Sequence, residues 1–454
     1  MAKDKSAPIG IVGSGCWGLS SAYHLIKQGY TNVTILDRAS EAPSPFSAAN
    51  DLNKIVRAQY DDDFYTELGL QAIAAWKTED WAPYYHQTGH LVTVSGHAPE
   101  KAVACHDFAE EFVTKHKVLS RGVVSLPTRD DIRDVCWQLT GPLNGFRGYF
   151  NRLEGYAHSA EALRGISTLL AGRGVRFILG PQKGHVVELI YSEVEASSRR
   201  CTGVRTRDGQ QHSFDTVICA LGAFGASLVP QLGNFNVARC WSVAHVQLTP
   251  RECDVLRGIP IVNARDLGFY FEPDPATRLL KLTPLGVGFS NYKQTHALPG
   301  VSLPPSPLGD ADSVGAALKD YVPLEDELKM RLLLRETLPW LADRPFVDKK
   351  MCWFSDTADS EYCIDFVPET GDSLVVLSGD SGHGFKMMPI FGEWVCDLLG
   401  RGEQQHQQWK WRAVEGEGRT ADWGTSVSWR FGEAAEISDI VAEKDRMDQS
   451  RVKL

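Results

Sequence analysis

Three glycines near the amino terminus have the spacing needed to bind a pyrophosphate. Gly13, Gly15 and Gly18 follow a short apolar segment and open a helical pattern, and a second apolar segment, residues 33–36, ends in Asp37. Gly13 would allow a tight turn, Gly15 would let the backbone approach phosphate oxygens, and Gly18 would bring helix and strand close together. The helix amino terminus would offer free N–H groups to the phosphates, and Asp37 would accept hydrogen bonds from a ribose. The arrangement predicts a dinucleotide bound by a βαβ unit.

This fingerprint specifies the ADP half of a dinucleotide and leaves the other half open. The redox-active ring could be a nicotinamide or a flavin, since both kinds of cofactor use the same pyrophosphate site. A plain glycine-rich turn is the simpler alternative, but it would not explain the acid that ends the second apolar segment. We therefore expect a dinucleotide-dependent enzyme and keep an NAD-dependent dehydrogenase as one possibility.

The bulk composition argues against several other classes of function. The chain has 454 residues, enough for two or three domains, and its hydrophobic and charged fractions of 43% and 23% are those of an ordinary globular protein. A formal net charge of −10 argues against nucleic acid or an anionic membrane as a partner. No apolar run is long enough to cross a bilayer. The ten cysteines form no C-x-x-C pair, so we expect neither a disulfide framework nor a metal site.

A second glycine-rich junction lies far along the chain. The apolar segment at residues 373–378 leads into Gly-Asp-Ser-Gly-His-Gly-Phe-Lys at 379–386 and then into a helical pattern. Because such junctions belong to doubly wound sheets, the dinucleotide domain is predicted to be assembled from separated segments. We predict an α/β fold with a Rossmann-type domain formed by residues 1–90, 155–235 and 341–454, the last including a C-terminal extension, and an α+β second domain with an antiparallel sheet formed by residues 91–154 and 236–340.

Six segments of the chain, taken in order, carry a resemblance to a known family: GIVGSGCWG at 10–18, residues 49–57, GFYFEPD at 268–274, residues 351–353, GDSGHGFK at 379–386 and residues 409–412. They resemble the sarcosine oxidase-like FAD-dependent amine oxidases, and most closely the fungal fructosyl amino acid oxidases, or amadoriases. The resemblance spans essentially the whole chain. It implies that the cofactor is FAD, that the second domain binds the substrate, and that a secondary amine transfers a hydride to the flavin. It also implies that O2 is reduced to H2O2 while the imine product is hydrolysed.

The resemblance also implies which residues hold the flavin. In this family the FAD is usually attached covalently through a cysteine, and the matching position here is Cys352, within Met-Cys-Trp. A cysteine close to the ring and partly ionised would suit attack on a flavin methyl group. The implied FAD-binding residues are Gly13, Ser14, Gly15, Cys16, Trp17, Gly18, Asp37, Arg38, Ser47, Asn50, Lys54, Val186, Gly222, Cys352, Gly382, Gly384, Phe385 and Lys386.

Three residues are implied to take part in catalysis. Lys281 follows Tyr270 at the spacing of the family's oxygen-activating lysine, which lies near the flavin N5 atom. A fixed cation beside the flavin would stabilise the negative charge that develops on O2. Lys54 matches a basic residue beside the flavin, and Tyr270 matches a tyrosine near the substrate in the sarcosine oxidase branch.

Three further cations are implied to bind the substrate. Lys386 and Arg412 match the basic residues that hold the substrate carboxylate, and Arg57 matches a basic residue beside the flavin or at the mouth of the site. An arginine fork can hold a carboxylate with two parallel hydrogen bonds, whereas a lysine acts as a point charge.

The substrate itself stays open between two groups. Relatives that accept fructosyl lysine carry an acidic residue four positions after the oxygen-activating lysine, and here that position is Leu285. Leucine cannot accept hydrogen bonds from sugar hydroxyls, which favours an N-alkyl or cyclic amino acid such as saccharopine, sarcosine or pipecolate. The overall similarity to the fungal branch favours a fructosyl amino acid. A flavin-binding scaffold without turnover is the remote alternative from a different class of protein.

The remaining expectations concern location and partners. The chain ends in Val452-Lys453-Leu454, close to the Ser-Lys-Leu peroxisomal address but with valine in the first place. The start of the chain lacks the apolar core of a secretory signal. We expect a peroxisomal or cytoplasmic monomer whose partners are a small amino-acid-derived amine and O2.

Overall fold

The computed structural model of the protein describes residues 4–195, 198–293, 298–305, 318–412 and 435–443. The main helices, in chain order, are α1 (Cys16–Lys27), α2 (Asp63–Trp76), α3 (Glu100–Lys115), α4 (Arg129–Val135), α5 (Ser159–Gly172), α6 (Pro250–Val255), α7 (Leu324–Thr337) and α8 (Met388–Arg401).

The strands belong to two large and two small sheets. In chain order they are β1 (Ile9–Val12), β2 (Val33–Asp37), β3 (Lys54–Val56), β4 (Tyr85–His86), β5 (His90–Val94), β6 (Val123–Leu126), β7 (Arg147–Asn151), β8 (Gly155–Ala157), β9 (Arg176–Leu179), β10 (Val186–Glu195), β11 (Ser198–Thr206), β12 (Gln211–Ser213), β13 (Thr216–Cys219), β14 (Asn236–Gln247), β15 (Ile261–Ala264), β16 (Gly268–Tyr270), β17 (Leu279–Pro284), β18 (Phe289–Ser290), β19 (Phe346–Thr357), β20 (Cys363–Phe366), β21 (Leu374–Ser378) and β22 (Ala435–Glu436).

The first large sheet carries the glycine fingerprint. Its strand order is β20-β21-β13-β1-β2-β9, and every pairing is parallel except that of β20 with β21. The central strands β1, β2, β13 and β21 are buried along their whole length, which explains their continuous apolar sequences. The expected doubly wound sheet, assembled from distant segments of the chain, is confirmed.

The second large sheet is mostly antiparallel. Its order is β22-β18-β14-β17-β16-β15-β5-β7-β6, and β19 pairs with β14 beside this path. Strand β19 runs antiparallel to β14 from Asn236 opposite Thr357 to Val246 opposite Phe346. This pairing matters for the predicted domain limits, because β19 lies within the segment 341–454 that was predicted to belong to the dinucleotide domain. The backbone hydrogen bonds of β19 join it to the second sheet. Cys352 lies on β19, between that sheet and the first.

Two helices that open at the glycine-rich junctions pack directly on each other. The Ser20 hydroxyl of α1 donates to the Met388 carbonyl at 2.5 Å and accepts from the Gly392 amide of α8 at 2.9 Å. A side-chain carbon at Gly392 would lie only 2.1 Å from the Ser20 carbonyl oxygen, so this close approach requires glycine. The rings of Trp17 and Phe391 stack 4.2 Å apart beside it. Both junctions are therefore held at the same end of the sheet.

The smallest sheet brings a basic segment beneath the second sheet. Strands β3, β8 and β4 pair in that order, and β3 begins at Lys54.

No helix in the described ranges is long and apolar enough to cross a membrane. The same part of the chain contains no cluster of three or more His, Cys, Asp or Glu residues arranged as a metal site. The tripeptide Val452-Lys453-Leu454 lies outside the described residues.

Candidate active site

A long cleft opens between the two glycine-rich junctions and the second sheet. It encloses about 1340 Å³, including space open to solvent. Its walls come from the β1–α1 turn, the ends of β2 and β13, the loop 44–49, the start of β10, strand β19 and the loop that follows β21. Most of the residues predicted to hold the cofactor line this cleft: Gly13, Gly15, Cys16, Trp17, Asp37, Arg38, Ser47, Lys54, Val186, Gly222, Cys352, Gly382, Gly384 and Phe385.

The floor of the cleft is bare backbone because side chains do not fit there. Gly13 has φ +113°, and a side-chain carbon on it would lie 2.4 Å from the Ala220 carbonyl oxygen. A carbon on Gly18 would lie 2.0 Å from the Gly13 carbonyl oxygen, so helix and strand touch at this point. Gly18 therefore supports the turn from behind and does not line the cleft. The exposed amides at the start of α1 remain available to a phosphate.

The second junction is equally close to aromatic rings. A side-chain carbon at Gly382, where φ is +74°, would lie 2.5 Å from the Trp241 ring, and one at Gly384 would lie 2.7 Å from the Trp17 ring. Asp380 lines the cleft between these glycines and accepts from the Ser355 amide at 3.1 Å. Burial raises the pKa of Asp380 to about 6.

Hydrogen bonds from the glycine-rich turn hold the side chain of Asp37, which was predicted to complete the dinucleotide-binding motif. Its Oδ2 atom accepts hydrogen bonds from the Ser14 amide at 2.7 Å and the Ser14 hydroxyl at 2.9 Å, and its Oδ1 atom accepts from the Ala39 amide at 2.9 Å. Ser14 therefore acts beneath Asp37 and is not part of the cleft wall. Arg38 continues the wall, with its guanidinium 4.0 Å from the centre of the Phe224 ring. Oδ2 already accepts two hydrogen bonds, whereas Oδ1 accepts one and has a lone pair left for a ribose hydroxyl.

One buried carboxylate holds three lysines at the other end of the cleft. Asp51 accepts hydrogen bonds from the ammonium groups of Lys281 and of Lys54, the latter at 2.9 Å. It also forms an ion pair with Lys350, whose nitrogen lies 3.2 Å from Oδ1. Burial alone would raise the pKa of Asp51, but the three ammonium groups outweigh it and hold that pKa well below its usual value. One carboxylate cannot compensate three cations. Burial accordingly lowers the pKa of Lys281, which is 2% exposed, to about 8 despite its contact with Asp51.

The predicted catalytic lysines thus share a partner but differ in position. Lys54 lines the cleft, whereas Lys281 donates to the Asn53 carbonyl at 2.6 Å behind it. Lys54 also lies 3.8 Å from the sulfur of Cys352. Asn50 lies beside a neighbouring cavity, where its amide donates to the Ser44 carbonyl at 3.3 Å.

Two predicted substrate-binding cations meet at one tyrosine. The Arg57 guanidinium carbon lies 4.6 Å from the centre of the Tyr60 ring, and the Lys386 nitrogen lies 4.8 Å from it. Lys386 is buried and donates to the Tyr60 hydroxyl at 2.5 Å and to the His383 carbonyl at 2.6 Å. In the described part of the chain neither cation forms an ion pair with a carboxylate. Burial and the charge of Arg57 lower the pKa of Lys386 well below its usual value.

Arg412 lies in a different environment from Lys386. Its Nη2 atom contacts Asp359 at 3.1 Å and donates to the carbonyls of Glu361 and Gln408. No contact in the described residues joins Arg412 to Lys386, although the Arg412 Nη1 atom is buried without a hydrogen-bond partner. The structure therefore brings Lys386 together with Arg57, and the substrate contact of Arg412 stays a prediction.

Tyr270 is not brought to the cleft. It is fully buried in a core that includes Leu280, Leu282 and Met330, and its hydroxyl faces Thr337 of α7. Neighbouring residues of a strand point to opposite faces of the sheet, and Tyr270 takes the face covered by α7. The opposite face is occupied by Phe271, whose ring centre lies 5.2 Å from the Lys281 nitrogen.

The cleft fits a dinucleotide such as FAD. Bare amides at a helix amino terminus, an acid at the end of β2 and glycines that a side-chain carbon would block are the features that a pyrophosphate and ribose require. Cations and aromatic rings line the opposite end, where a flat redox ring would lie. The fold and the cleft together define a dinucleotide-binding enzyme with a second domain over the cofactor.

Comparison with known proteins identifies the class more closely. Residues 9–398 match the family described as FAD dependent oxidoreductase, and the chain belongs to this family. It is 32% identical over 422 residues to the L-saccharopine oxidase of Schizosaccharomyces pombe, covering 90% of this chain and 93% of that protein. It is 24% identical to a monomeric sarcosine oxidase of a Bacillus species, covering 87% and 93% of the two chains.

Solved structures give the same classification. The fructosamine oxidase Amadoriase II from Aspergillus fumigatus superposes with a TM-score of 0.84 at 30% identity, over 96% of this chain and 97% of that one. A fructosyl peptide oxidase from E. terrenum superposes with a TM-score of 0.84 at 28% identity, over 96% and 98% of the two chains. The protein is an FAD-dependent oxidase of amines or amino acids, and the expected resemblance is confirmed.

Sequence reasoning missed several residues of the site. Asp51 lies inside the segment that carried the resemblance, but its partners Lys281 and Lys350 are distant in the chain, so no local signal marked it. Tyr60 and Trp241 were likewise overlooked, since an aromatic residue in an apolar segment is indistinguishable from an ordinary core residue.

Proposed function

We propose that the protein oxidises the secondary amine of an N-substituted amino acid, with O2 as electron acceptor. The amine becomes an imine that water hydrolyses, and O2 becomes hydrogen peroxide. The observation that carries the proposal is the pair of cations Lys386 and Arg57 at the Tyr60 ring, both without a carboxylate partner in the described residues. Lys386 is buried and Arg57 is half-buried, and buried charges are ordinarily paired, so this arrangement favours an anionic ligand.

The α-carboxylate of the substrate is the anion that this pair would bind. Arg57 presents a planar fork that suits a carboxylate, and Lys386 adds a second positive charge from the opposite junction. Lys386 is held by neutral acceptors only, the Tyr60 hydroxyl and the His383 carbonyl. A bound carboxylate would restore the charged form of Lys386, because it would offset the cost of burial. The clamp would thereby fix the position of the substrate amine.

FAD, when bound, supplies the hydride acceptor and later returns the electrons to O2. The chain's own residues orient the substrate, exclude water and provide fixed charge. No side-chain base is needed for hydride loss when the amine is neutral, since its lone pair assists the departure. Lys54 lines the cleft and Lys281 lies behind it, both held by Asp51. These cations would stabilise negative charge developing on O2.

We also propose that FAD is attached through the Cys352 sulfur. Cys352 and Cys16 both line the cleft. Burial and the charge of Asp380 raise the pKa of Cys16 well above its usual value, which disfavours its thiolate. Cys352 instead lies in the cleft with its sulfur 3.8 Å from the ammonium nitrogen of Lys54.

Two substrate groups remain candidates, and the relatives represent both of them. The named S. pombe relative is an L-saccharopine oxidase, whereas the solved structures are fructosamine and fructosyl peptide oxidases. Leu285, at the position where fructosyl-lysine oxidases carry an acid, favours an N-alkyl or cyclic amino acid. A peroxide-producing activity would also suit the peroxisomal address suggested by Val452-Lys453-Leu454.

A substrate panel tests the proposed function directly. Purified protein is supplied with saccharopine, sarcosine, pipecolate and fructosyl lysine, and hydrogen peroxide and O2 consumption are measured together. We expect equimolar O2 loss and peroxide release with at least one N-substituted amino acid, and none when the α-carboxylate is esterified. Turnover that depends on added NAD, or no turnover with the whole panel, would contradict the proposal.

A further inference from the structure

A second buried cation, besides Lys386, lies close to the proposed carboxylate clamp and has no role in it. Arg265 follows β15 directly and is 8% exposed. Its Nη2 atom donates weakly to the Gln59 side-chain oxygen at 3.4 Å, and its Nε atom is buried without a hydrogen-bond partner. In the described part of the chain Arg265 makes no ion pair, although Asp61 contributes a favourable electrostatic interaction from a greater distance. A buried guanidinium with so few hydrogen bonds is unusual in the core of a folded protein.

The surroundings of Arg265 offer further donors. The buried Tyr149 hydroxyl interacts with the Arg265 side chain, and its proton has no acceptor among the described residues. The nearby carboxylate of Glu154 already accepts hydrogen bonds from the amides of Ala58 and Gln59 at 3.0 Å each and from His90 at 2.8 Å. Glu154 is therefore occupied by donors other than Arg265.

Gln59 connects this cation to the clamp. Its side-chain oxygen accepts from Arg265, and its backbone carbonyl accepts from Arg57. Burial lowers the pKa of His90, and the charges of Arg57 and Arg265 act in the same direction. The two guanidinium groups thus both contact Gln59 and belong to one polar cluster.

We propose that Arg265, with the Tyr149 hydroxyl, is a second anion subsite that binds a carboxylate on the N-substituent of the substrate. The inference rests on the proposed function and names its substrate class: N-substituted amino acids whose substituent bears its own carboxylate, as in an N-(dicarboxyalkyl) amino acid. Arg57 and Lys386 bind the carboxylate next to the oxidised amine. Arg265 binds the second carboxylate of the dicarboxyalkyl group, which is called the distal carboxylate below. Sarcosine, pipecolate and fructosyl lysine carry no carboxylate on the substituent and leave Arg265 unsatisfied.

The first experiment uses wild-type enzyme and two matched substrates. Saccharopine and its analogue with a carboxamide in place of the distal carboxylate differ by one charge at one end. We expect kcat/KM to fall about 10- to 100-fold for the carboxamide, the range for losing a charge-assisted hydrogen bond in a buried site. Equal kcat/KM for the two substrates would overturn the subsite. No turnover of any N-substituted amino acid would instead overturn the proposed function.

The second experiment assigns the effect to Arg265. In Arg265→Met the preference for the distal carboxylate should disappear, with KM for saccharopine raised about 10- to 100-fold and KM for sarcosine or pipecolate unchanged. Arg265→Lys, which keeps the charge but loses the fork, should retain part of the preference. Arg257→Met serves as the matched control, since Arg257 is exposed and paired with Asp254 in the same domain. Equal losses on all substrates in Arg265→Met would show a structural role and contradict the proposal.

Inhibitor binding provides a readout that does not depend on turnover. Glutarate and acetate are titrated into the holoenzyme, and their dissociation constants are read from the change in flavin absorbance. We expect glutarate to bind at least about tenfold more tightly than acetate to the wild-type protein and no more tightly to Arg265→Met. If that preference survives in Arg265→Met, the second carboxylate is bound elsewhere and the assignment of Arg265 fails.

Discussion

The ammonium nitrogen of Lys54 lies 3.8 Å from the sulfur of Cys352, a residue 298 positions away in the chain. Lys54 opens the small strand β3, and Cys352 lies in the middle of β19, so two sheets are needed to bring them together. Asp51 keeps the lysine in place from the other side at 2.9 Å. Cys16 is the other cysteine of the cleft, and burial and the carboxylate of Asp380 raise its pKa, although Lys54 acts in the opposite direction.

Replacing Cys352 should release the flavin. Wild-type protein precipitated with acid should stay yellow, whereas Cys352→Ala should give a colourless pellet and a yellow supernatant. The matched control is Cys16→Ala, which removes a thiol from the same cleft and should leave the pellet yellow. A colourless wild-type pellet, or loss of bound colour in Cys16→Ala alone, would contradict attachment through Cys352.

The rate of flavin reoxidation should depend on the protonation of Lys281. Because burial lowers the pKa of this lysine to about 8, its positive charge is present below that pH and lost above it. Reoxidation of the reduced enzyme by O2, followed by stopped-flow absorbance, should therefore slow as the pH rises through about 8. Lys281→Met should be slow at every pH, while flavin reduction by substrate changes little. Lys350→Met is the control, since Lys350 contacts the same Asp51 from a half-exposed position. Equal effects of Lys281→Met on reduction and reoxidation would indicate a binding role.

Replacing Asp51, the carboxylate shared by the three lysines, should shift the pH profile of flavin reoxidation and lower the free energy of unfolding. Asp51 raises the pKa of Lys281 against the effect of burial, so Asp51→Asn should shift the alkaline loss of reoxidation to lower pH. Leaving three ammonium groups without a counter-charge should lower the free energy of unfolding by about 3 kcal/mol or more. The pKa of Asp51 is held below its usual value of 3.8, so its stabilisation is complete above that pH and is lost only on further acidification. Urea titrations of the wild-type protein and Asp51→Asn at pH 5 measure this difference, and an unshifted reoxidation profile would contradict the coupling.

Much of the fold could be predicted because its signals are local. Strands β1 and β2, the turn at Gly13 and the helix α1 each follow from a few neighbouring residues, and so does the junction after β21. The cofactor cleft could be predicted with them, since its walls are these junctions. Residues such as Asp51 and Arg265 could not, because their significance comes from partners that only the folded chain brings near.

The sequence also does not show which face of the sheet each residue of a strand occupies. Tyr270 and Phe271 are adjacent in the segment that suggested a catalytic tyrosine, yet Tyr270 faces α7 and Phe271 faces Lys281. A strand in a sheet covered on both sides has apolar residues on both faces, so alternation alone does not say which face meets the site. The ion pair of Arg412 with Asp359 was likewise not predictable, because Asp359 lies far away in the sequence, and the substrate contact of Arg412 stays a prediction.

Substitutions of Lys386, Arg57 and Arg412 should show which of the two arginines contacts the substrate carboxylate. Lys386→Met and Arg57→Met should each raise KM for an N-substituted amino acid by about 10- to 100-fold, because each leaves the α-carboxylate with one cation fewer. Arg412→Met should have a much smaller effect, since its guanidinium is engaged by Asp359 and two carbonyls. Steady-state kinetics on the three purified variants would check this. A large KM increase in Arg412→Met with none in Arg57→Met would return the carboxylate contact to Arg412.

A single methyl group at the fingerprint should abolish cofactor binding. In Gly13→Ala the new carbon would lie 2.4 Å from the Ala220 carbonyl oxygen, on a residue whose φ of +113° is strained for alanine. The turn must then shift, and the amides that face the cleft shift with it, so the protein should purify with little or no flavin absorbance. Gly172→Ala is the matched control: the residue ends α5 with nothing within 4 Å, and alanine there should leave flavin content unchanged and stabilise the helix slightly. Full flavin occupancy in Gly13→Ala would mean that the β1–α1 turn does not hold the pyrophosphate.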